Sequence, residues 1–488
     1  MEEKNQNPRQ YPPVRRKRKR RPKWQRVLRK YWPPIRFGLI CLLLLILLIS
    51  GVKGVVGLIR DAVRGEDTTQ QTDPVETEPS EDQIAQDVEK LIKEADFLAA
   101  GYDYEGAVAL IQSAPDYGES EELNAKITEY RAADAKLVSY PRMNEITHVF
   151  FHTLVVDEAR CFDGDYREKG YNLYMTTVEE FNQILESMYA RGYVLVSPYD
   201  VAYEVTDESG THFTYGDIRL PEGKIPFVMS QDDVNYYGYM IGDEDPELER
   251  PAVANAGGDG FAHKIIIGED GYPTCEYYDA AGNLLVGSYD LVPILEDFIQ
   301  KHPDFSYKGA RAILGMTGYE GVFGYRTKPG HKDFLGEEAY QKEVEQAKEV
   351  AQCLRDHGWI LASHTYGHPS LGQVSVDRVA TDTQKWEDTV ESIIGKCAII
   401  LYPNGSDVAG IEKYTMDNQK FKILYDSGIR YFYNVDSSVH WCQLGDNYFR
   451  GGRRNLDGYR MYNSPGRLED LFDAKAIFSK ARPTPVSF

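Results

Sequence analysis

Residues 358–371 read GWILASHTYGHPSL: an apolar run that stops at His364, with a second histidine, His368, four residues on. A short apolar run bounded by turn residues has the pattern of a buried strand, so His364 falls at a strand exit. Two other stretches have the same form. FVMSQDDVNYY (227–237) leaves its run through Asp232 and Asp233, and IILYPNGSD (399–407) leaves its run through Tyr402, Pro403 and Asn404.

Outward from these three stretches, strand patterns recur at 147–156 (THVFFHTLVV), 192–198 (GYVLVSP), 309–318 (GARAILGMTG) and 429–435 (IRYFYNV). Helical periodicity falls between them at 177–192, 289–302, 336–358 and 384–395. Strands alternating with helices predict an α/β fold with a parallel sheet or barrel over 140–488. Barrels of this type carry their chemistry at the C-terminal ends of the strands. Turn signals GEDGYPT and DAAGN mark 259–290 as an inserted hairpin.

Upstream the chain changes character. Residues 81–137 show three amphipathic helical patterns, and ADFLAAGYDYEGAVALI (95–111) resembles a tetratricopeptide-type helical hairpin. One such repeat cannot bury its own apolar face, so this segment should pack on the following domain or hold a protein partner. Residues 60–80 are polar and acidic, as in a solvated linker. Residues 37–59, FGLICLLLLILLISGVKGVVGLI, reach the length of about 20 apolar residues that a membrane span needs.

Charge orients that span. The net charge of −21 divides into +12 over residues 1–36 and −33 over the rest. Basic arms can bind nucleic acid, but a basic tail directly before an apolar span reads as the cytoplasmic flank of a membrane anchor. The chain is then single-pass, N-terminus cytoplasmic, with the rest extracellular. A cleaved signal peptide is the alternative, opposed by the length of the basic region and the lack of a small-x-small site. The six cysteines form no CxxC pair, which argues against a thiolate metal site.

Two imidazoles and a carboxylate suit zinc or another divalent first-row metal (cobalt, nickel or manganese), with positions left open for water or substrate. An adjacent second carboxylate can serve as general base. The 35 tyrosines hint at sugar contacts, since a phenol ring stacks on C–H faces while its hydroxyl hydrogen-bonds.

With these motifs in hand, residues 140–465 resemble the polysaccharide deacetylase family, also called the NodB-homology domain or carbohydrate esterase family four. SQDDV keeps both acids of that family's TFDDG motif, and His364-Thr365-Tyr366-Gly367-His368-Pro369 matches its H-[ST]-x-x-H-P motif. The resemblance implies a distorted (β/α)7 barrel, Asp232 as general base, and Asp233, His364 and His368 as metal ligands. It implies removal of acetyl groups from an N-acetylated cell-envelope or exported polysaccharide. Further downstream the pattern departs. Leu401 stands where the family's RxPYG motif has an arginine that orients the base. The resemblance makes Tyr402 and Asn404 of that motif substrate contacts, with Asp436 and Trp441 of a possible fourth motif. The family's late histidine, its general acid, has no counterpart after His440; Arg454, within Arg453–Gly458, occupies roughly that place as a further substrate contact. Tyr236, Tyr237 and Tyr366 are candidate stacking partners for sugar rings, and a backbone N–H near Tyr402 is a candidate oxyanion donor. The general acid stays open, with His440 the candidate nearest the late motifs; His152, near the end of the first barrel strand, is a candidate to face the site. Two rival functions also stay open: a degenerate glycan-binding module that has lost turnover, and an O-acetyl esterase.

Overall fold

The computed structural model describes residues 81–115, 117–208, 210–242, 258–436 and 438–488. The basic tail, the apolar span at 37–59 and the acidic linker lie outside the described residues. Among the described residues no helix is long and apolar enough to cross a membrane.

Eight strands lie parallel in one sheet: β1 (Thr147–Phe151), β2 (Tyr193–Leu195), β3 (Ile225–Gln231), β4 (Ile313–Met316), β5 (Ile360–Ser363), β6 (Ile399–Leu401), β7 (Tyr431–Val435) and β8 (Phe449–Asn455). Their order is β4-β5-β6-β7-β8-β1-β3-β2. Pairing of Ser230 with Ile313 joins β3 to β4, so seven strands close into a ring while β2 runs beside the start of β3. The fold is an α/β protein built on a seven-stranded parallel barrel.

Side chains alternate across each strand. Val228, Ala362, Ile399, Leu401, Tyr433 and Phe449 face the barrel interior in one apolar cluster. Phe227, Met229, Leu314 and Leu361 face outward into the core shared with the surrounding helices. The helices sit where periodicity placed them, at Val178–Ala190, Leu291–Lys301 and Glu337–Asp356. The fourth starts earlier than its pattern suggested: Val376–Trp386 runs into a π-helical turn over 387–391.

Two sequence expectations need correction. The insertion at 259–290 is a three-stranded antiparallel sheet rather than a single hairpin, with strands Lys264–Ile267, Pro273–Tyr278 and Leu284–Gly287. The final barrel strand, β8, went unread. Its sequence FRGGRRN carries three arginines and two glycines, a composition that neither period-two hydrophobicity nor β-propensity would mark as a strand. Six of its seven residues are nonetheless buried.

The helical segment Glu81–Ala100, Tyr104–Gln112 and Glu121–Asp134 gathers Ala95, Ala107, Ile111, Leu123, Ile127 and Tyr130 into a small core of its own. It also packs on the barrel domain. Tyr102 stacks on Tyr307 and donates to the Asp304 carbonyl at 3.0 Å, and Asp134 pairs with Arg219 at 2.9 Å.

Helix Val178–Ala190 opens with a capping box in which Glu180 returns to the Thr177 amide. The same carboxylate accepts two bonds of 2.7 Å from Arg482 with both side chains fully buried. Removing one partner of such a pair strands the other charge in the interior. Arg482→Ala should therefore lower unfolding stability by about 3–5 kcal/mol, read by urea denaturation. A change near zero would show that the pair does not secure this helix.

Candidate metal centre

Carboxylate and imidazole atoms of Asp233, His364 and His368 lie within 4.8 Å of one another at the mouth of the barrel. Asp233 is carried just beyond β3, and the two histidines just beyond β5. The donor set of two nitrogens and one oxygen fits a divalent metal and leaves further positions open.

Each ligand is held by its surroundings. His364 Nδ1–H donates to the Leu401 carbonyl at 2.7 Å, which leaves Nε2 directed to the cluster. Burial first, outweighing the nearby Asp232 and Asp233, holds the His364 ring below its ordinary pKa, so the neutral, ligating form prevails. The Tyr237 hydroxyl donates to Asp233 at 2.7 Å and also meets Thr317 Oγ1 at 2.7 Å. Burial and the Asp233 charge push the Tyr237 phenol well up, so it stays a donor. The turn between the histidines is pinned by buried Asp382, which accepts the amides of Tyr366 (2.8 Å) and Gly367 (3.1 Å).

Backbone strain collects at this rim. Asp233 (φ 59°), Tyr236 (φ 52°), Thr365 (φ 67°), His368 (φ 48°) and Asn404 (φ 55°) all occupy the left-handed region. Such conformations cost about 1–3 kcal/mol each and persist where the surroundings over-determine them. Asn235 is part of that restraint: its amide donates to the Thr317 carbonyl at 2.9 Å while its oxygen accepts the Thr317 amide at 3.0 Å.

Asp232, 3% exposed, stands beside the ligands with its carboxylate 4.0 Å from His364 Nε2. Arg453 grips it with two bonds, 2.6 and 2.9 Å, and also reaches Ser230 at 3.2 Å. Ser230 in turn meets His148 Nε2 at 2.9 Å. Burial works to raise the Asp232 carboxyl, but the guanidinium charge prevails and holds it well below the usual carboxylate range. The guanidinium at Asp232 is thus carried by β8, not by the loop after β6. Sequence reading missed this contact, since nothing local in Phe449–Asn455 marks Arg453 as the partner of Asp232.

Several expected contacts fall elsewhere. The Tyr402 side chain is fully buried outside the barrel and bonds Tyr414 at 2.9 Å, while its amide already donates to the Tyr433 carbonyl, so it is no oxyanion donor. Arg454 follows Arg453 and so takes the opposite face of β8, where it pairs with Asp470 at 2.7 Å. Trp441 packs over Arg450, three residues before Arg453 and likewise on that outer face. Asp436 accepts the Ser438 amide at 2.7 Å in its own turn. Asn404 reaches Ser370 at 3.2 Å, near the second histidine. Tyr236 is fully buried and donates to Asp290 at 2.6 Å, which removes it as a stacking platform. Tyr366 is half-buried beneath Lys385.

Two outcomes follow from this geometry. Tyr237→Phe keeps the ring and loses the bond to Asp233, so zinc affinity should fall about 10–100-fold; unchanged affinity by titration calorimetry would remove the orienting role. The depressed Asp232 carboxyl stabilises the fold above its unfolded value of about 3.9, and that stability is lost as pH falls through the folded value. Arg453→Met should therefore bring acid unfolding of the metal-free chain to higher pH, followed by circular dichroism. An unshifted acid midpoint would contradict the pairing.

Residues 337–424 match the family model described as Polysaccharide deacetylase. No curated protein matches the chain. Among solved structures, it is similar to the Streptococcus pyogenes deacetylase PplD in complex with acetate, at 15% identity and a TM-score of 0.34, covering 69% of this chain and 98% of that one. It is also similar to the chitin deacetylase of the fungal pathogen Colletotrichum lindemuthianum, at 14% identity and a TM-score of 0.19, covering 38% and 76%. The weight rests on the family model, whose match spans β5, the paired histidines and β6. Over residues 337–424 the chain is thus similar to the polysaccharide deacetylase family.

Proposed function

We propose that the protein removes acetyl groups from an N-acetylated polysaccharide of the cell envelope or an exported glycan, with zinc as the metal. One observation carries this reading: a carboxylate kept ionised by a buried guanidinium stands next to an aspartate and two histidines that converge as metal ligands.

A divalent metal held by Asp233, His364 and His368 would polarise the acetyl carbonyl and acidify water. Asp232 takes the proton from the attacking water as general base. Arg453 keeps that carboxylate charged and fixed in plane through its paired bonds. Exposed Tyr319, whose hydroxyl donates to the Gly367 carbonyl at 2.9 Å, offers a ring beside the ligands for a sugar face. The missing loop arginine motivated the reading as a degenerate binding module, and Arg453 supplies an equivalent contact, which favours turnover.

The apolar stretch 37–59 and the basic tail before it support a single-pass anchor with the barrel outside the cell. The short helical segment, besides packing on the barrel domain, is the candidate surface for a protein partner.

Incubation with N-acetylglucosamine oligomers and zinc should release acetate. Asp232→Asn should reduce the rate by about 10²–10⁴-fold with zinc still bound. Equal release by this variant would refute the base, and no release by the unaltered chain would refute the substrate class.

A further inference from the structure

Cleavage of an amide needs a proton for the departing nitrogen, and the late-chain histidine that would supply it is missing. The barrel register points to a replacement. Along β1 the inward face carries His148, which meets Ser230, and then Phe150, which lies 4.4 Å beneath the Arg453 guanidinium. Two residues further on, the same face delivers His152 at the mouth. Phe151 pairs with Gln231, and the Asp232 amide donates to the Phe151 carbonyl at 2.8 Å, so His152 stands level with Asp232 on the next strand. On the other flank Phe150 pairs with Asn455, which sets Asp457 level with His152 on β8's extension. Asp457 is 4% exposed, accepting from Asn455 and the Arg460 amide.

Three titratable side chains thus stand side by side on the extensions of β8, β1 and β3, with His152 in the middle. It is half-buried, reachable from the mouth, and bonded through Nδ1 to the Tyr174 carbonyl at 3.2 Å. A carbonyl partner requires a proton on Nδ1, which leaves Nε2 as the ring nitrogen for exchange with substrate. His152 lies within electrostatic reach of both carboxyls, although burial holds Asp457 above its ordinary value. His148 is sealed inside the barrel, His364 and His368 are ligands, and His440 is exposed on the loop after β7.

We infer that His152 is the proton donor to the leaving amine. The inference rests on the deacetylase reading above. Water loses one proton to Asp232 as its oxygen bonds the acetyl carbon. The C–N bond then breaks, its electron pair stays on nitrogen, and the Nε2 proton of His152 completes the amine. Acetic acid leaves and gives its remaining water-derived proton to solvent, and the proton on Asp232 passes through solvent to restore His152. Oxidation states do not change. Asp457, level with the ring on the neighbouring strand, acts as a positioning residue.

An ester with a good leaving group needs no such proton, and that separates the roles. The full chain and its His152→Ala variant are compared on N-acetylglucosamine oligomers and on 4-nitrophenyl acetate, with bound zinc measured in both. The variant should lose about 100-fold or more in kcat on the oligomer, keep ester turnover within about threefold, and retain its zinc. Equal losses on both substrates, or an undiminished rate on the oligomer, would overturn the assignment while leaving the deacetylase reading intact. An unaltered chain that cleaves the ester yet frees no acetate from the oligomer would instead sink the substrate reading, and the donor with it.

Discussion

The buried pair between Asp232 and Arg453 is the constraint on which the rest of the site depends. An ionised carboxylate inside a barrel is costly unless a cation meets it with good geometry. Here a guanidinium spans from β8, across Phe150 of β1, to the end of β3, and is itself fully buried. That single contact sets the charge of Asp232, fixes the plane of its carboxylate, and ties the last barrel strand to the third through the interior. Ser230 and His148 extend the polar column downward, and the apolar floor of Val228, Leu401 and Tyr433 closes it.

Above the pair, the geometry spends backbone strain to aim side chains. Asp233 and His368 both adopt left-handed conformations that ordinary residues avoid. Each is held by a neighbour: Tyr237 for the aspartate, Asp382 for the histidine turn. The site is therefore held in place by bonds to the residues around it.

Much of this was legible in the chain. Asp232, Asp233, His364 and His368 end apolar runs, and strand-end chemistry is a general property of parallel barrels, so their convergence followed from pattern and topology together. The rest was hidden for physical reasons. β8 buries arginines whose charges are neutralised by Asp232, Asp407 and Asp470, partners far away in sequence, so its composition looks like a loop. Tyr402 and Arg454 were misplaced because a one-residue step along a strand reverses the face a side chain takes, and sequence alone does not give that parity. Tyr237 looked like a sugar platform because nothing local reveals that its hydroxyl ends on Asp233.

The account stands on one cation site shared by β3 and β5. Anomalous diffraction from crystals of the zinc-loaded protein tests it most directly. One peak should lie about 2.0–2.2 Å from Asp233 oxygen and from a ring nitrogen of both His364 and His368, with Arg453 still gripping Asp232. A peak elsewhere, or none under saturating zinc, would contradict it.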